Sequence, residues 1–168
     1  MSIAPTLQKY LASENIEYDV IAHRPTISSS DTAQACHISG DRLAKGVVLR
    51  RGGGGYVLAI IPASHHIRLS ALKEYLGGHL QLAAENEIDS LFPDCARGAI
   101  PAIAQCYGLS LVIDDSVTVQ PEIYVEAGDH ETLVHMDNLQ FLQLTAHAQH
   151  GRFSEKTTNG SGPSVVWG

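Results

Sequence analysis

Two apolar runs dominate the hydrophobic pattern of the chain, GVVLR at 46–50 and YVLAIIP at 56–62. Both are rich in β-branched residues, and four glycines at 52–55 separate them, which predicts an antiparallel hairpin with a flexible tip. A phosphate-binding Walker loop needs a lysine and a helix after its glycines, and neither follows here. Lys45 opens the first run, where a buried strand favours an apolar side chain, so this lysine needs an explanation.

Helical spacing, caps and stop signals predict five helices, and short β-rich or alternating runs predict further strands. The helices are expected over 2–16, 31–37, 69–78, 85–92 and 138–149. The further strands are expected over 16–23, 79–83, 109–115, 122–128 and 132–137. Because strands outnumber helices and follow one another in runs, the predicted fold class is α+β, with a mixed, largely antiparallel β-sheet and helices packed around it.

The length of 168 residues favours a single domain. We expect this domain over residues 1–150 and a flexible C-terminal tail over 151–168, where Ser, Thr and Gly are frequent. No apolar run approaches the roughly 20 residues that cross a bilayer, and the N-terminus lacks the pattern of a secretory signal. We therefore expect a cytoplasmic protein without a membrane partner.

The net charge of −7 limits the kind of nucleic-acid contact that the chain could make. A protein that grips a long duplex by its phosphates is usually basic. Charge alone therefore argues against nucleic acid, and any such contact should be small and local.

Metal and nucleophile signals are weak. The chain has nine histidines, but no H-E-x-x-H spacing, so we expect no metal and no cofactor. The cysteines Cys36, Cys95 and Cys106 form no C-x-x-C pair, which fits a reducing compartment and buried thiols. No G-x-S-x-G elbow of a serine hydrolase is present.

Three local features remain. Lys45 opens a strand, the segment RGAIPAIAQCYG at 97–108 contains few polar side chains, and Gly128, Asp129 and His130 form a predicted turn between two strands. Each has an ordinary structural interpretation, namely a lysine that reaches solvent, a loop and a turn.

The chain resembles the YbaK/ProX family over about residues 6–147. The resemblance is carried by four segments in this order: LAKGVVLR, the Gly98 loop, LVIDD and AGDHETLVHM. These proteins are aminoacyl-tRNA deacylases that stand free or are inserted in bacterial prolyl-tRNA synthetases. The resemblance implies a β-sheet curled toward a barrel and hydrolysis of the ester between a wrong amino acid and tRNA. The loop departs from the family pattern, because Ala102 and Ala104 replace a usual proline and glycine. This departure concerns the amino-acid preference more than the reaction.

By the resemblance, the catalytic residues would be Lys45, Gly98 and His130. Lys45 would anchor the CCA end, since an ammonium group offers three donors to phosphate or ribose. Main-chain N–H groups of the Gly98 loop would stabilise the oxyanion. A hydroxyl group of the tRNA itself would help to activate water. His130 would orient reacting groups or take part in proton transfer.

The apolar loop predicts a pocket for a small amino acid, such as Ala, Cys, Ser or Thr. The expected substrate-binding residues are Ala99, Ile100, Pro101, Ala102, Ile103, Gly128 and Asp129. The partners would be the acceptor end of an aminoacyl-tRNA, which could be tRNA-Pro, and an aminoacyl-tRNA synthetase that supplies tRNA identity.

Two alternatives stay open at this point. The same fold could be a non-catalytic module that binds a nucleotide or a tRNA end, with an altered loop that has lost hydrolysis. A metal hydrolase that uses the histidines is a weaker alternative, because the ligand spacing is missing.

Overall fold

The computed structural model describes residues 2–158 and 165–166. Its helices surround a large sheet, and most of them coincide with the helices that periodicity predicts. The described helices are α1 (Pro5–Ser13), α2 (Ser29–Cys36), α3 (Leu69–Leu76), α4 (Glu85–Leu91), α5 (Asp115–Thr118) and α6 (Asn138–Leu144), with a 3₁₀ turn at Gln105–Tyr107. In this part of the chain no helix is both long and apolar enough to cross a membrane.

The strands form a main sheet and a small second sheet. They are β1 (Asp19–Ala22), β2 (Leu43–Arg51), β3 (Tyr56–Pro62), β4 (His65–Arg68), β5 (Leu80–Leu82), β6 (Ser110–Asp114), β7 (Glu122–Glu126), β8 (Thr132–Asp137), β9 (Gln149–Gly151), β10 (Ser154–Lys156) and β11 (Val165–Val166). The main sheet has the order β1-β8-β7-β2-β3-β6-β9, and β5 adds to β2; the small sheet has the order β10-β4-β11. The order ends at β1 and β9, so the sheet is not a closed barrel. The predicted α+β fold with a mixed sheet is confirmed.

The predicted hairpin is formed by β2 and β3, which pair antiparallel from Ala44 opposite Pro62 to Arg50 opposite Tyr56. Alternate residues of β2 enter different cores. Val48 packs with the side chains around α1 and α6. Val47 packs on the other face, with α3. Since both faces of β2 are covered, this strand lies at the centre of the molecule.

The other edge of β2 is divided between two strands. Leu43 and Ala44 pair with β7, whereas Leu49 and the two arginines after it pair with β5. On this edge no strand pairs with residues 45–48 in the described part of the chain. The sheet therefore opens at the position of Lys45.

Backbone alternation points one residue into this gap. The carbonyl groups of Arg42 and Val48 lie on the divided edge, since they accept hydrogen bonds from Tyr124 N at 2.9 Å and Ala83 N at 3.1 Å. Successive strand residues direct their N–H and C=O groups to opposite edges. The N–H and carbonyl groups of Gly46 consequently point toward the gap.

The flexible tail expected over 151–168 does not begin at residue 151. Phe153 is 1% exposed, and β10 pairs with β4. The buried carboxylate of Asp114 accepts hydrogen bonds from Phe153 N at 2.7 Å and Ser154 N at 2.9 Å. Sequence patterns missed β4 and β10 because both strands are short and polar. The rest of the predicted tail, at 159–164 and 167–168, lies outside the described residues.

Candidate active-site cleft

The gap in the sheet opens into a cleft of about 410 Å³. Four parts of the chain form its walls: the start of α2, the middle of β2, the segment from β5 to α4, and the Gly98 loop. The lining residues are Ser28, Ser29, Ser30, Lys45, Gly46, Val47, Val48, Leu82, Ala83, Glu85, Ile88, Gly98 and Ile100. The structure thus brings Lys45 to one cleft with Gly98 and Ile100 of the Gly98 loop, which lies far from it in sequence.

Lys45 is half-buried on β2. Burial lowers the pKa of its ammonium group, because the charged form loses hydration. Within the described residues this group has no hydrogen bond or ion pair that would compensate for that loss. A cation held at such a position is suited to an anionic ligand that the cleft would receive.

The N-terminus of α2 forms the wall beside Lys45. The side chain of Ser28 caps the helix by accepting a hydrogen bond from Asp31 N at 3.2 Å. The first N–H groups of a helix have no acceptor within the helix, and their partial positive charge favours anions. The sequence predicted this helix but not its position beside the cleft. The available signal was the run SSS before an acidic residue, which is typical of a helix N-terminus.

Gly98 adopts a left-handed conformation with φ +79°. A Cβ atom at this position would lie 3.2 Å from His130 Cε1, so the close approach favours glycine. Ala99 N donates to Ala96 O at 3.1 Å. In contrast, the N–H groups of Gly98 and Ile100 donate to no described residue, and both residues line the cleft. These two N–H groups are candidates for holding an oxyanion.

His130 contacts the Gly98 loop from outside the cleft lining. Its Nε2 atom hydrogen-bonds to the carbonyl group of Arg97. Its own carbonyl accepts hydrogen bonds from Thr26 N at 3.3 Å and from Thr26 Oγ1 at 3.4 Å. His130 therefore joins the Gly98 loop to the segment before α2, as a positioning residue.

Two other predicted binding residues support the turn before β8 and are absent from the cleft lining. The Asp129 carboxylate accepts hydrogen bonds at 2.9 Å from Ser2 N, Glu131 N and Thr132 Oγ1. Burial alone would raise the pKa of Asp129, but these hydrogen bonds lower it overall. Gly128 packs against Ala4, the residue before α1, since a Cβ at position 128 would lie 3.0 Å from the Cβ of Ala4.

The apolar residues of the loop have two different environments. Ile100 lines the cleft, whereas Ala99, Ala102 and Ile103 are 0% exposed and Pro101 is buried. Ala102 and Ile103 belong to the core around α1 and α6. The apolar lining comes mostly from residues that sequence analysis did not select, namely Val47, Val48, Leu82 and Ile88.

A buried polar network lies behind the cleft wall. Thr32 Oγ1 on α2 donates to Glu126 Oε1 at 3.1 Å and lies 2.6 Å from Thr26 Oγ1. Glu126 is only 4% exposed, and this burial raises the pKa of its carboxyl group. This network connects β7 with α2 and with the segment that His130 holds.

The thiols are not activated. Burial raises the pKa of Cys95 to about 11 and that of Cys106 to about 12, and it also raises the pKa of Cys36. At neutral pH these groups are thiols rather than thiolates, so they are weak nucleophiles. Among the described residues, no three His, Cys, Asp or Glu side chains are grouped to hold a metal ion.

Comparison with solved structures shows the same fold in proteins of low sequence identity. A structure described as hypothetical protein APE2540 is 20% identical, with a TM-score of 0.80 over 89% of this chain and 99% of that chain. A structure described as a candidate trans-editing enzyme for prolyl-tRNA synthetase is 22% identical, with a TM-score of 0.79 over 92% and 99%. A candidate signal transduction protein from Marinobacter aquaeolei VT8 is 22% identical, with a TM-score of 0.76 over 94% of this chain and 32% of that chain.

A search of curated proteins found no match. The family model for the aminoacyl-tRNA editing domain matches residues 23–144, a region that includes Lys45, Gly98 and His130. This match confirms the resemblance to the YbaK/ProX family. Because it covers more than half of the chain, the protein belongs to the aminoacyl-tRNA editing domain family.

Proposed function

We propose that this protein is a trans-editing deacylase that hydrolyses the ester bond of a mischarged aminoacyl-tRNA. The observation that carries this proposal is the position of Lys45 and the Gly98 loop on one cleft, with the N-terminus of α2 beside them. A cation and a helix N-terminus favour phosphate, and free main-chain N–H groups favour an oxyanion.

In the proposed reaction, Lys45 and α2 bind the terminal nucleotide and fix its orientation. A water molecule, activated with help from the ribose hydroxyl of the substrate, adds to the ester carbonyl carbon. The N–H groups of Gly98 and Ile100 stabilise the oxyanion, and His130 holds their loop in place. The C–O ester bond then breaks and the ribose oxygen takes a proton, so no protein nucleophile is needed.

The proposed substrate carries a small amino acid, such as Ala, Cys, Ser or Thr. Val47, Ile88 and Ile100 give the cleft an apolar lining, which favours a small uncharged side chain. Separation of close analogues by one methylene group is limited to about 1–3 kcal/mol. A similar fold is described as a candidate trans-editing enzyme for prolyl-tRNA synthetase, so we propose tRNA-Pro and a synthetase partner for testing first.

The test is a panel of Ala-, Cys-, Ser- and Thr-charged tRNA-Pro, together with correctly charged prolyl-tRNA, measured with and without a chelator. We expect rapid loss of at least one small ester and the same rate with chelator. Tight binding without hydrolysis would instead indicate the non-catalytic module, and loss of activity with chelator would indicate a metal hydrolase.

A further inference from the structure

Two charged side chains of opposite sign are present in the described lining of the cleft, Lys45 and Glu85. Lys45 suits a phosphate, but the proposed reaction gives Glu85 no task. Glu85 is the first residue of α4 and is exposed. Within the described part of the chain it forms neither a hydrogen bond nor an ion pair.

The other two carboxylates of α4 are engaged. Glu87 accepts hydrogen bonds from Tyr56 Oη at 2.5 Å and from Ala84 N at 2.9 Å. Asp89 accepts two hydrogen bonds from the guanidinium group of Arg97, at 2.9 Å and 2.7 Å. An acidic residue in a first helical turn also stabilises the helix dipole, but Glu87 already occupies that turn and caps the helix.

The contact between Arg97 and Asp89 fastens α4 to the Gly98 loop, because Arg97 directly precedes Gly98. The charge of Glu85 also acts on Arg97: it raises the pKa of the guanidinium group, after the larger contribution of Asp89. Glu85 therefore lies near the start of the loop whose N–H groups would hold the oxyanion.

We propose that Glu85 accepts the α-ammonium group of the aminoacyl ester, an inference that rests on the deacylase function proposed above. The end of an aminoacyl-tRNA carries a phosphate and an ammonium group, and the cleft offers a cation and a carboxylate. The α-nitrogen is separated from the carbonyl carbon by a single carbon atom, so its acceptor must lie beside the oxyanion loop. Glu85 changes no bond; it orients the ester and keeps the electron-withdrawing ammonium charged.

The test compares alanyl-tRNA with lactyl-tRNA, in which a hydroxyl group replaces the ammonium group. Each enzymatic rate is divided by the rate of the same ester without protein. We expect wild type to prefer the alanyl ester by about 10- to 100-fold, the effect of one hydrogen bond to a charged group. Glu85→Gln should bring this ratio close to one by slowing only the alanyl ester.

Two variants serve as controls. Glu85→Asp keeps the charge and should recover most of the preference. Glu74→Gln changes an exposed carboxylate of α3, outside the cleft lining, and should retain the wild-type ratio. The preference of wild type should also decline as pH rises above about 8, where an α-amino group becomes neutral, and Glu85→Gln should lack this dependence.

Three results would overturn the proposal. Equal slowing of both esters by Glu85→Gln would show a general structural role, and unchanged rates for both esters would show no role. If wild type hydrolyses neither ester nor any member of the mischarged panel, the deacylase function itself fails and this inference fails with it.

Discussion

Lys45 has the ligand contact proposed above and also a cost in folding stability, since its ammonium group is buried without a partner among the described residues. Because burial lowers its pKa, the folded protein releases this proton at lower pH than the unfolded chain does. The unfolded state then binds more protons, so the free energy of unfolding rises with pH between the folded pKa and the ordinary value of 10.5.

We therefore expect Lys45→Met, which keeps the volume and removes the charge, to unfold at a higher urea concentration than wild type at pH 7. This gain should diminish as pH approaches 10.5, where wild type is relieved of the buried charge. Lys9→Met changes an exposed lysine of α1 and should have no such effect. Lower stability of Lys45→Met at pH 7 would contradict this interpretation.

The cysteines permit a second prediction at the residue scale. Since the pKa values of Cys95 and Cys106 are raised to about 11 and about 12, their thiolate fractions at pH 7 are negligible. Single Cys95→Ser and Cys106→Ser variants should therefore keep the deacylation rate within about threefold of wild type, because substitutions away from critical contacts usually change free energies by about 0.5 kcal/mol or less. A rate loss of 100-fold in a folded variant would support a thiol mechanism.

At the scale of elements, Asp114 attaches the C-terminal strands to the end of β6. Its carboxylate is 3% exposed and accepts hydrogen bonds from the main chain of Phe153, Ser154 and Ser116. We expect Asp114→Ala to lower the free energy of unfolding by about 2–5 kcal/mol, because it leaves buried N–H groups without acceptors.

The adjacent Asp115 provides the matched control for urea denaturation. Its carboxylate is 44% exposed and lies 3.6 Å from Arg152. Exposed ion pairs contribute about 0–1 kcal/mol, so Asp115→Ala should cause a much smaller loss. Equal losses in the two variants would contradict the anchoring role of Asp114.

Local patterns predicted the elements whose signals are complete in sequence. The β2–β3 hairpin has two apolar runs and a glycine turn, and α6 begins at residue 138 as predicted, after Asp137 as cap, which accepts a hydrogen bond from Gln140 N. The short strands β4 and β10 are polar, and they are fixed by pairing between residues that are distant in sequence. Such pairing leaves no periodic signal in either segment.

The site was predictable only in part, for the same reason. Lys45 and Gly98 are unusual for their local environments, and the structure brings both to the cleft. Ala102 and Ile103 are apolar residues of the same loop, but the path of the chain after Ile100 places them in the core. Glu85 is an ordinary helix-start residue in sequence, so only the tertiary arrangement reveals that it lines the cleft.

At the scale of the whole molecule, the net charge of −7 disfavours extended contact with RNA. Contact through Lys45 and the start of α2 would engage one or two phosphates. The salt dependence of binding to a single strand then has a slope of about −0.7 to −1.4 in a plot of log K against log salt concentration.

We expect this shallow slope for the binding of an aminoacyl minihelix between 50 and 300 mM KCl. Lys45→Met should reduce the slope by about 0.7, the contribution of one phosphate contact. Full-length tRNA should show nearly the same slope as the minihelix. A slope steeper than about −4 for either RNA would indicate the extended basic interface that this account excludes.

The most direct test of the central claim is a single-turnover deacylation measurement on the small aminoacyl-tRNA that wild type hydrolyses fastest. The claim is that Lys45, which has no partner among the described residues, and the main-chain N–H groups of the Gly98 loop act together on the substrate. Lys45→Met should reduce the rate constant by about 10- to 100-fold, as expected for one hydrogen bond to a charged group, while Lys9→Met keeps the wild-type rate. A folded Lys45→Met protein that deacylates as fast as wild type would contradict the claim.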